Sequence, residues 1–171
     1  MCGFAGLWHP DPAESGPELA NWAQAMALAI RHRGPDDAGI WHDPGAGLAL
    51  SHRRLAILDL SAAGHQPMAS ASGRFQIVFN GEIYNHRTIR QELESARLLQ
   101  RPWVGGSDTE TLLAPIEAWG LDATLQRTVG MAALALWDRH SRTLHLARDR
   151  FGEKPLYWGW LRHPDVTGPG L

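Results

Sequence analysis

Three features of the sequence predict an α+β fold in which helices pack on antiparallel sheets. Short apolar runs separated by Asp/Pro/Gly or Ser/Gly turns crowd the middle third, helical patterns follow them, and a hairpin pattern returns near the C-terminus. A length of 171 residues suits one domain with a single core.

The elements follow in order. Residues 2–8 are small and apolar and predict a strand that starts at Cys2. Pro10, Pro12, Gly16 and Pro17 predict a loop; residues 18–32 then carry Leu19, Trp22, Met26 and Ile30 at helical spacing, with a stop at Gly34-Pro35. Short strands are predicted at 39–42, 47–51, 54–58 and 75–79. Asn85 is the predicted N-cap of a second helix that turns Ile89 and Leu93 inward. Ser107 and Glu110 form a capping box ahead of Leu112, Leu113, Ile116 and Trp119, with Gly120 as the stop and a kink predicted at Pro115. The chain returns to β at 131–137 and 143–147 across a polar turn at 138–142, with a last strand at 156–160. Beyond Trp160, Pro164, Gly168, Pro169 and Gly170 predict a frayed or unrelated terminus.

Composition removes several classes of function. Hydrophobic residues make up 44% and charged residues 20%, which is ordinary globular usage. A net charge of -2, a pI near 6.5 and scattered arginine pairs supply no basic face for nucleic acid. No apolar run reaches the roughly 18 residues of a membrane span, and the N-terminus lacks a basic-then-apolar leader, so a soluble cytoplasmic protein is expected. One cysteine excludes an internal disulfide and a cysteine-based zinc site; the nine histidines are scattered, so no metal and no cofactor are expected.

Cys2 is that single cysteine, and removal of Met1 would make it the first residue, joining a free amine to a thiol. An α-amino group titrates at about 7.7–8.0 and a thiol at about 8.5, so the amine can take the thiol proton without a histidine. The bland alternative is an inert, mildly hydrophobic side chain. Asn80-Gly81-Glu82 follows an apolar strand, where an asparagine amide and a glycine N–H suit an oxyanion hole; the same pair equally signals a hairpin turn. Arg54 opens an apolar run and suits a bidentate grip on a carboxylate, or else snorkels from a sheet edge. Asp108, in the first turn of its helix, offers an anchor for an ammonium or merely offsets the helix dipole. Arg54 and Asp108 together match the two charged ends of an α-amino acid.

Seven blocks then occur in one order: Met1-Cys2-Gly3-Phe4-Ala5-Gly6, Arg31-His32-Arg33-Gly34-Pro35-Asp36, Ser51-His52-Arg53-Arg54-Leu55-Ala56-Ile57, Gln66-Pro67-Met68, Phe79-Asn80-Gly81-Glu82-Ile83-Tyr84-Asn85, Ser107-Asp108-Thr109-Glu110, and the run from Ala147 through Arg148-Asp149-Arg150-Phe151-Gly152-Glu153-Lys154-Pro155-Leu156 to Tyr157. Over Met1 to about Trp158 the chain resembles the glutaminase domain of glutamine-hydrolysing asparagine synthetase, a class II glutamine amidotransferase.

The resemblance implies a four-layer αββα sandwich of the N-terminal nucleophile hydrolase type. It implies that Cys2 attacks the side-chain amide of L-glutamine while Asn80 and Gly81 stabilise the oxyanion. Arg54 would hold the α-carboxylate, Glu82 and Asp108 would face the α-amino group, and the backbone of Leu55, Ala56, Ile57 and Leu58 would line the pocket. The 148–157 block would brace the sheet and the domain boundary. On this reading residues 1–160 form the amidotransferase domain and 161–171 an unmatched tail. No pyrophosphate-loop or P-loop pattern occurs, so ATP and magnesium would belong to a synthetase domain, in cis or in trans, that adenylates aspartate. A homodimer stays open. Ala132, Ala133 and Ala135 stand where the family carries bulkier residues and predict weaker packing. An idle relative that binds glutamine or a partner, and a truncated product lacking its last strands, are the competing readings.

Overall fold

Alternation along one strand sets the layers. In β3 (Leu48–Arg54), Leu48 and Leu50 pack with Val78, Ala135 and Trp137 between two sheets, while Ala49 packs against Leu19 and Ala23 of α1 (Pro12–Ala29) on the outer face. This computed structural model describes residues 2–9, 11–57 and 59–160, without the side chains of 12–17; the readings at Met1, Pro10, Leu58 and 161–171 lie outside the described residues.

Sheet A is antiparallel in the order β1-β3-β2, with β1 at Gly3–Trp8 and β2 at Asp37–Asp43. Sheet B has the order β4-β5-β6-β7, comprising Met68–Ala69, Phe75–Ile83, Gly130–Asp138 and Thr143–Arg148. Its outer face, through Phe75, Ile77, Phe79, Leu134 and Leu136, packs on α2 (His86–Ser95) and α3 (Asp108–Trp119). Each fully buried aliphatic side chain in these layers contributes about 1.5–3 kcal/mol. The architecture is therefore the expected αββα sandwich, helix α1 on one side and α2 with α3 on the other.

Local departures from expectation have physical causes. Helix α1 starts at Pro12, not residue 18, because proline at a first helical position loses no hydrogen bond and arrives with its φ preset. Its core face is Leu19, Ala23 and Ala27, whereas Trp22 is 37% exposed. Small alanines let the helix lie close to Ala49 and Ile40. The two strands expected at 47–51 and 54–58 are replaced by the single β3, which ends at Arg54. Inward-facing His52 and Arg54 break the apolar pattern without breaking the strand. The expected strand at 75–79 continues to Ile83, and residues 156–160 carry no strand.

Ser107 caps α3 by accepting the Glu110 N–H at 3.2 Å, but Glu110 turns its carboxylate to the Val104 and Gly105 N–H groups rather than back to Ser107. The helix is continuous through buried Pro115. Asn85 occupies the N-cap position of α2 without capping it; its side chain instead bridges Arg127 O and Val129 N. The short α4 (Leu121–Arg127) had no sequence signal. Of the alanines of β6, Ala133 and Ala135 are buried, and Trp137 occupies the inter-sheet layer against Leu48 and Leu50.

Candidate active site

A cleft of about 130 Å³ opens where the ends of β1, β3 and β5 meet the N-terminus of α3. Cys2, Arg54, Leu55, Ile57, Asn80, Gly81, Glu82 and Asp108 all line it. Ala56 does not; its N–H donates to Asp36 Oδ2 at 2.9 Å.

Cys2 precedes β1, whose Gly3 pairs with Arg53 at the end of β3. Its half-buried thiol accepts the Leu55 N–H at 3.3 Å and lies 3.5 Å from Leu55 O. The Cys2 carbonyl accepts Arg33 Nε at 3.1 Å, and Arg53 Nε donates to Gly34 O at 3.0 Å. A Cβ on Gly34 would lie 2.4 Å from the Arg53 carbonyl, so only glycine lets this turn close on the end of β3. The Arg-His-Arg-Gly-Pro-Asp block thereby serves as the mount for Cys2 and for the 55–56 peptides.

Asn80-Gly81 is not a hairpin turn. Both residues lie inside β5, opposite Ala133 and Ala132 of β6. A Cβ on Gly81 would stand 2.2 Å from Met131 O and 2.8 Å from the Phe79 ring, so glycine is demanded by the neighbouring strand as much as by any ligand. Backbone direction alternates along an antiparallel ladder. Tyr84 N bonds Val129 O and Arg139 N bonds Arg74 O, which turns the even residues of β5 toward β6. The Gly81 N–H therefore points out of the sheet edge, at the cleft.

Arg54 is buried, and its guanidinium donates to Ser61 O at 2.8 Å and to Asp59 O. Both acceptors are neutral carbonyls, and among the described residues no carboxylate lies within ion-pair distance, so the positive charge is held in place but not neutralised. Asp59 itself is held below the usual carboxylate range by its bonds from Ser61, with Gly106 N–H and the nearby Arg54 charge adding to the effect against burial. Asp108 is shifted the other way. Burial raises it, and the Ile83 N–H at 3.1 Å, the nearby His86 and the backbone N–H groups of its own turn offset only part of that cost.

Several wall residues had no assigned role in the sequence. Gln66 and Thr109 belong to quoted blocks, yet nothing in their spacing shows that they meet at 3.1 Å. The 148–157 block is tied to the sheet: Asp149 accepts N–H groups from Ala132, Phe151, Glu153 and Lys154, and although burial works against it, those donors pull its carboxyl down to about 2. That loop also carries the Lys154 side chain, buried, into the cleft wall. Among the described residues no group of three or more His, Cys, Asp or Glu is placed to hold a metal, and no helix is long and apolar enough to cross a membrane.

The cleft thus presents a thiol, an edge N–H with an adjacent amide, a buried guanidinium, the Lys154 side chain and the carboxylates of Asp59, Glu82 and Asp108. A model of the glutamine amidotransferase domain matches residues 1–167. Glutamine-hydrolyzing asparagine synthetase 1 of Bacillus subtilis is 37% identical over 158 residues, covering 92% of this chain and 24% of that protein. Asparagine synthetase B of Escherichia coli is 36% identical over 163 residues, covering 95% and 28%. The chain spans about a quarter of the length of the curated relatives it matches. Among solved structures, the glutamine phosphoribosylpyrophosphate amidotransferase of Bacillus subtilis superposes with a TM-score of 0.65 at 18% identity, over 87% of this chain and 37% of that one, a likeness of fold. With the αββα sandwich and the lone thiol in its cleft, the match over nearly its whole length means that this chain belongs to the glutamine amidotransferase domain family.

Proposed function

We propose that this domain hydrolyses L-glutamine to glutamate and ammonia, with Cys2 as the nucleophile. The observation that carries the reading is the cleft itself, which gathers the only thiol of the chain, an outward N–H and opposite charges within one small volume. Arg54 receives the α-carboxylate, and Glu82 with Asp108 receives the α-ammonium. This orientation directs the side-chain amide toward Cys2.

Removal of Met1 frees an amine that takes the thiol proton. The thiolate attacks the amide carbon, and the negative charge that forms on oxygen is met by the Asn80 amide and the Gly81 N–H. Collapse of the tetrahedral intermediate breaks the C–N bond, and the leaving nitrogen takes the proton from the amine and departs as ammonia. Water, deprotonated by the same amine, then attacks the thioester and releases glutamate, returning the proton to sulfur.

The ammonia is destined for an ATP-dependent synthetase domain, in cis or in trans, that amidates aspartate. The asparagine synthetase relatives, glutamine-hydrolyzing by name, support that partner. Residues 1–160 form the hydrolytic unit, acting in the cytoplasm.

Mass spectrometry of the purified protein together with a glutamate-release assay tests the reading. Processed protein that releases glutamate from glutamine is expected. Processed, folded protein with no release over background overturns it.

The guanidinium has its own test. A Cβ at residue 64 would lie 2.0 Å from Arg54 Nη2. Because the clash is with the end of a side chain, Gly64→Ala should fold, yet Arg54 must leave its place. We expect KM for glutamine to rise by about tenfold or more with a smaller change in kcat. Gly159→Ala, whose Cβ meets nothing within 4 Å, serves as the control. An unchanged KM in Gly64→Ala removes Arg54 from substrate binding.

A further inference from the structure

Strand β4 is only two residues long, so beyond Ile77 the edge of β5 that faces away from β6 has no partner strand among the described residues. The backbone groups on that edge belong to Phe79, Gly81 and Ile83. Side chains take up what a strand would have taken. The Phe79 N–H donates to Gln66 Oε1 at 2.7 Å, His52 Nε2 donates to Phe79 O at 3.1 Å, and the Ile83 N–H donates to Asp108 Oδ2. Gly81 sits between these anchors, and no group among the described residues accepts its N–H.

Both anchors at Phe79 are built into the interior. Gln66 is 5% exposed, His52 is 1% exposed, and Gln66 Nε2 reaches Thr109 Oγ1 at 3.1 Å, beside Asp108. Phe79 O can only accept, so the proton of the imidazole is on Nε2. Burial pushes the ring down to about 4, which keeps it neutral near pH 7. Its Nδ1 is buried with no partner among the described residues, a cost accepted for one directed bond.

We propose that Gln66 and His52 are positioning residues: they hold the N–H and the C=O of Phe79 on the free edge of β5 and so fix the direction of the Gly81 N–H two residues on. Gln66 also ties this strand edge to the α3 turn that carries Asp108, setting the distance between the reacting end of the substrate and its ammonium. The proposal deepens the glutaminase reading and rests on it for its kinetic consequence. Its structural consequence stands apart.

The kinetic test uses Gln66→Met, which keeps the shape and removes the acceptor, and Gln66→Glu, which keeps an acceptor for the Phe79 N–H while the Thr109 hydroxyl turns to donate. Misplacing a donor weakens stabilisation of the transition state selectively, so kcat for glutamine hydrolysis should fall by about 10-fold to 100-fold in Gln66→Met with KM within about twofold. Gln66→Glu should recover most of the loss. A lower melting temperature with kcat intact in Gln66→Met overturns the proposal, as does equal damage in both variants.

Hydrogen exchange of the wild-type backbone amides keeps the question decidable should Gln66→Met fail to fold or the wild type release no glutamate. The Phe79 amide should exchange at least about a hundredfold more slowly than the Gly81 amide, because one is bonded within the core and the other faces the cleft. Equal exchange overturns the clamp whatever the activity. Absent glutamate release with the contrast intact instead counts against the glutaminase reading alone.

Discussion

Cys2→Ala should abolish glutamate release and leave the fold in place. The thiol is half-buried, and among the described residues its hydrogen-bond partners are the N–H and C=O of Leu55 at 3.3 Å and 3.5 Å, so removing sulfur opens little space and the melting temperature should move by no more than a few degrees. No other cysteine can substitute. Cys2→Ser keeps a hydroxyl at the same place but with far weaker nucleophilicity, and should be almost as inactive. A second readout is independent of turnover: a thiol-directed alkylating reagent should modify the wild type at one site, with loss of activity and with protection by glutamine. Glutamate release by Cys2→Ala above background would end the covalent mechanism.

Asn80→Ala carries the second large effect. Its amide lines the cleft from β5, where the residue is nearly buried, and it stands beside the outward Gly81 N–H. Losing one oxyanion donor costs about 100-fold to 1,000-fold in kcat, roughly 2.7–4 kcal/mol, with KM little changed because the interaction exists mainly in the transition state. Steady-state kinetics on folded Asn80→Ala decides it, and near-normal kcat removes Asn80 from the oxyanion role. Gly81→Ala is the poorer probe. Its Cβ would stand 2.2 Å from a backbone oxygen of β6, so strand pairing and catalysis would fail together.

Much of the candidate site is legible as contiguous blocks, since a nucleophile, an oxyanion pair and a helix-start carboxylate each need only two or three neighbouring residues. Cys2-Gly3, Asn80-Gly81-Glu82 and Ser107-Asp108 are of this kind, and all three reach one cleft. Arg54 was legible as a charge out of place in an apolar run, but it ends its strand, it does not begin it. Ala56 was legible only as part of a span; its peptide is committed to Asp36. Gln66, Thr109 and Lys154 were not legible as wall residues, because a buried amide, hydroxyl or ammonium leaves no periodic trace. The core face of α1 was misjudged for a related reason: tryptophan and methionine outweigh alanine in a hydrophobicity pattern, whereas close helix-to-sheet packing favours Ala23 and Ala27.

By itself the sequence determined the class of fold, the layers of alternating side chains and the chemical groups on offer, because period and residue type are local properties. Only the tertiary structure decided which backbone groups are left free. The Gly81 N–H faces the cleft because β4 stops after two residues, and two side chains far apart in sequence, Gln66 and His52, take the neighbouring Phe79 peptide instead of another strand. That outcome depends on distances between segments 13 and 27 residues apart, and no pattern within a single segment encodes it.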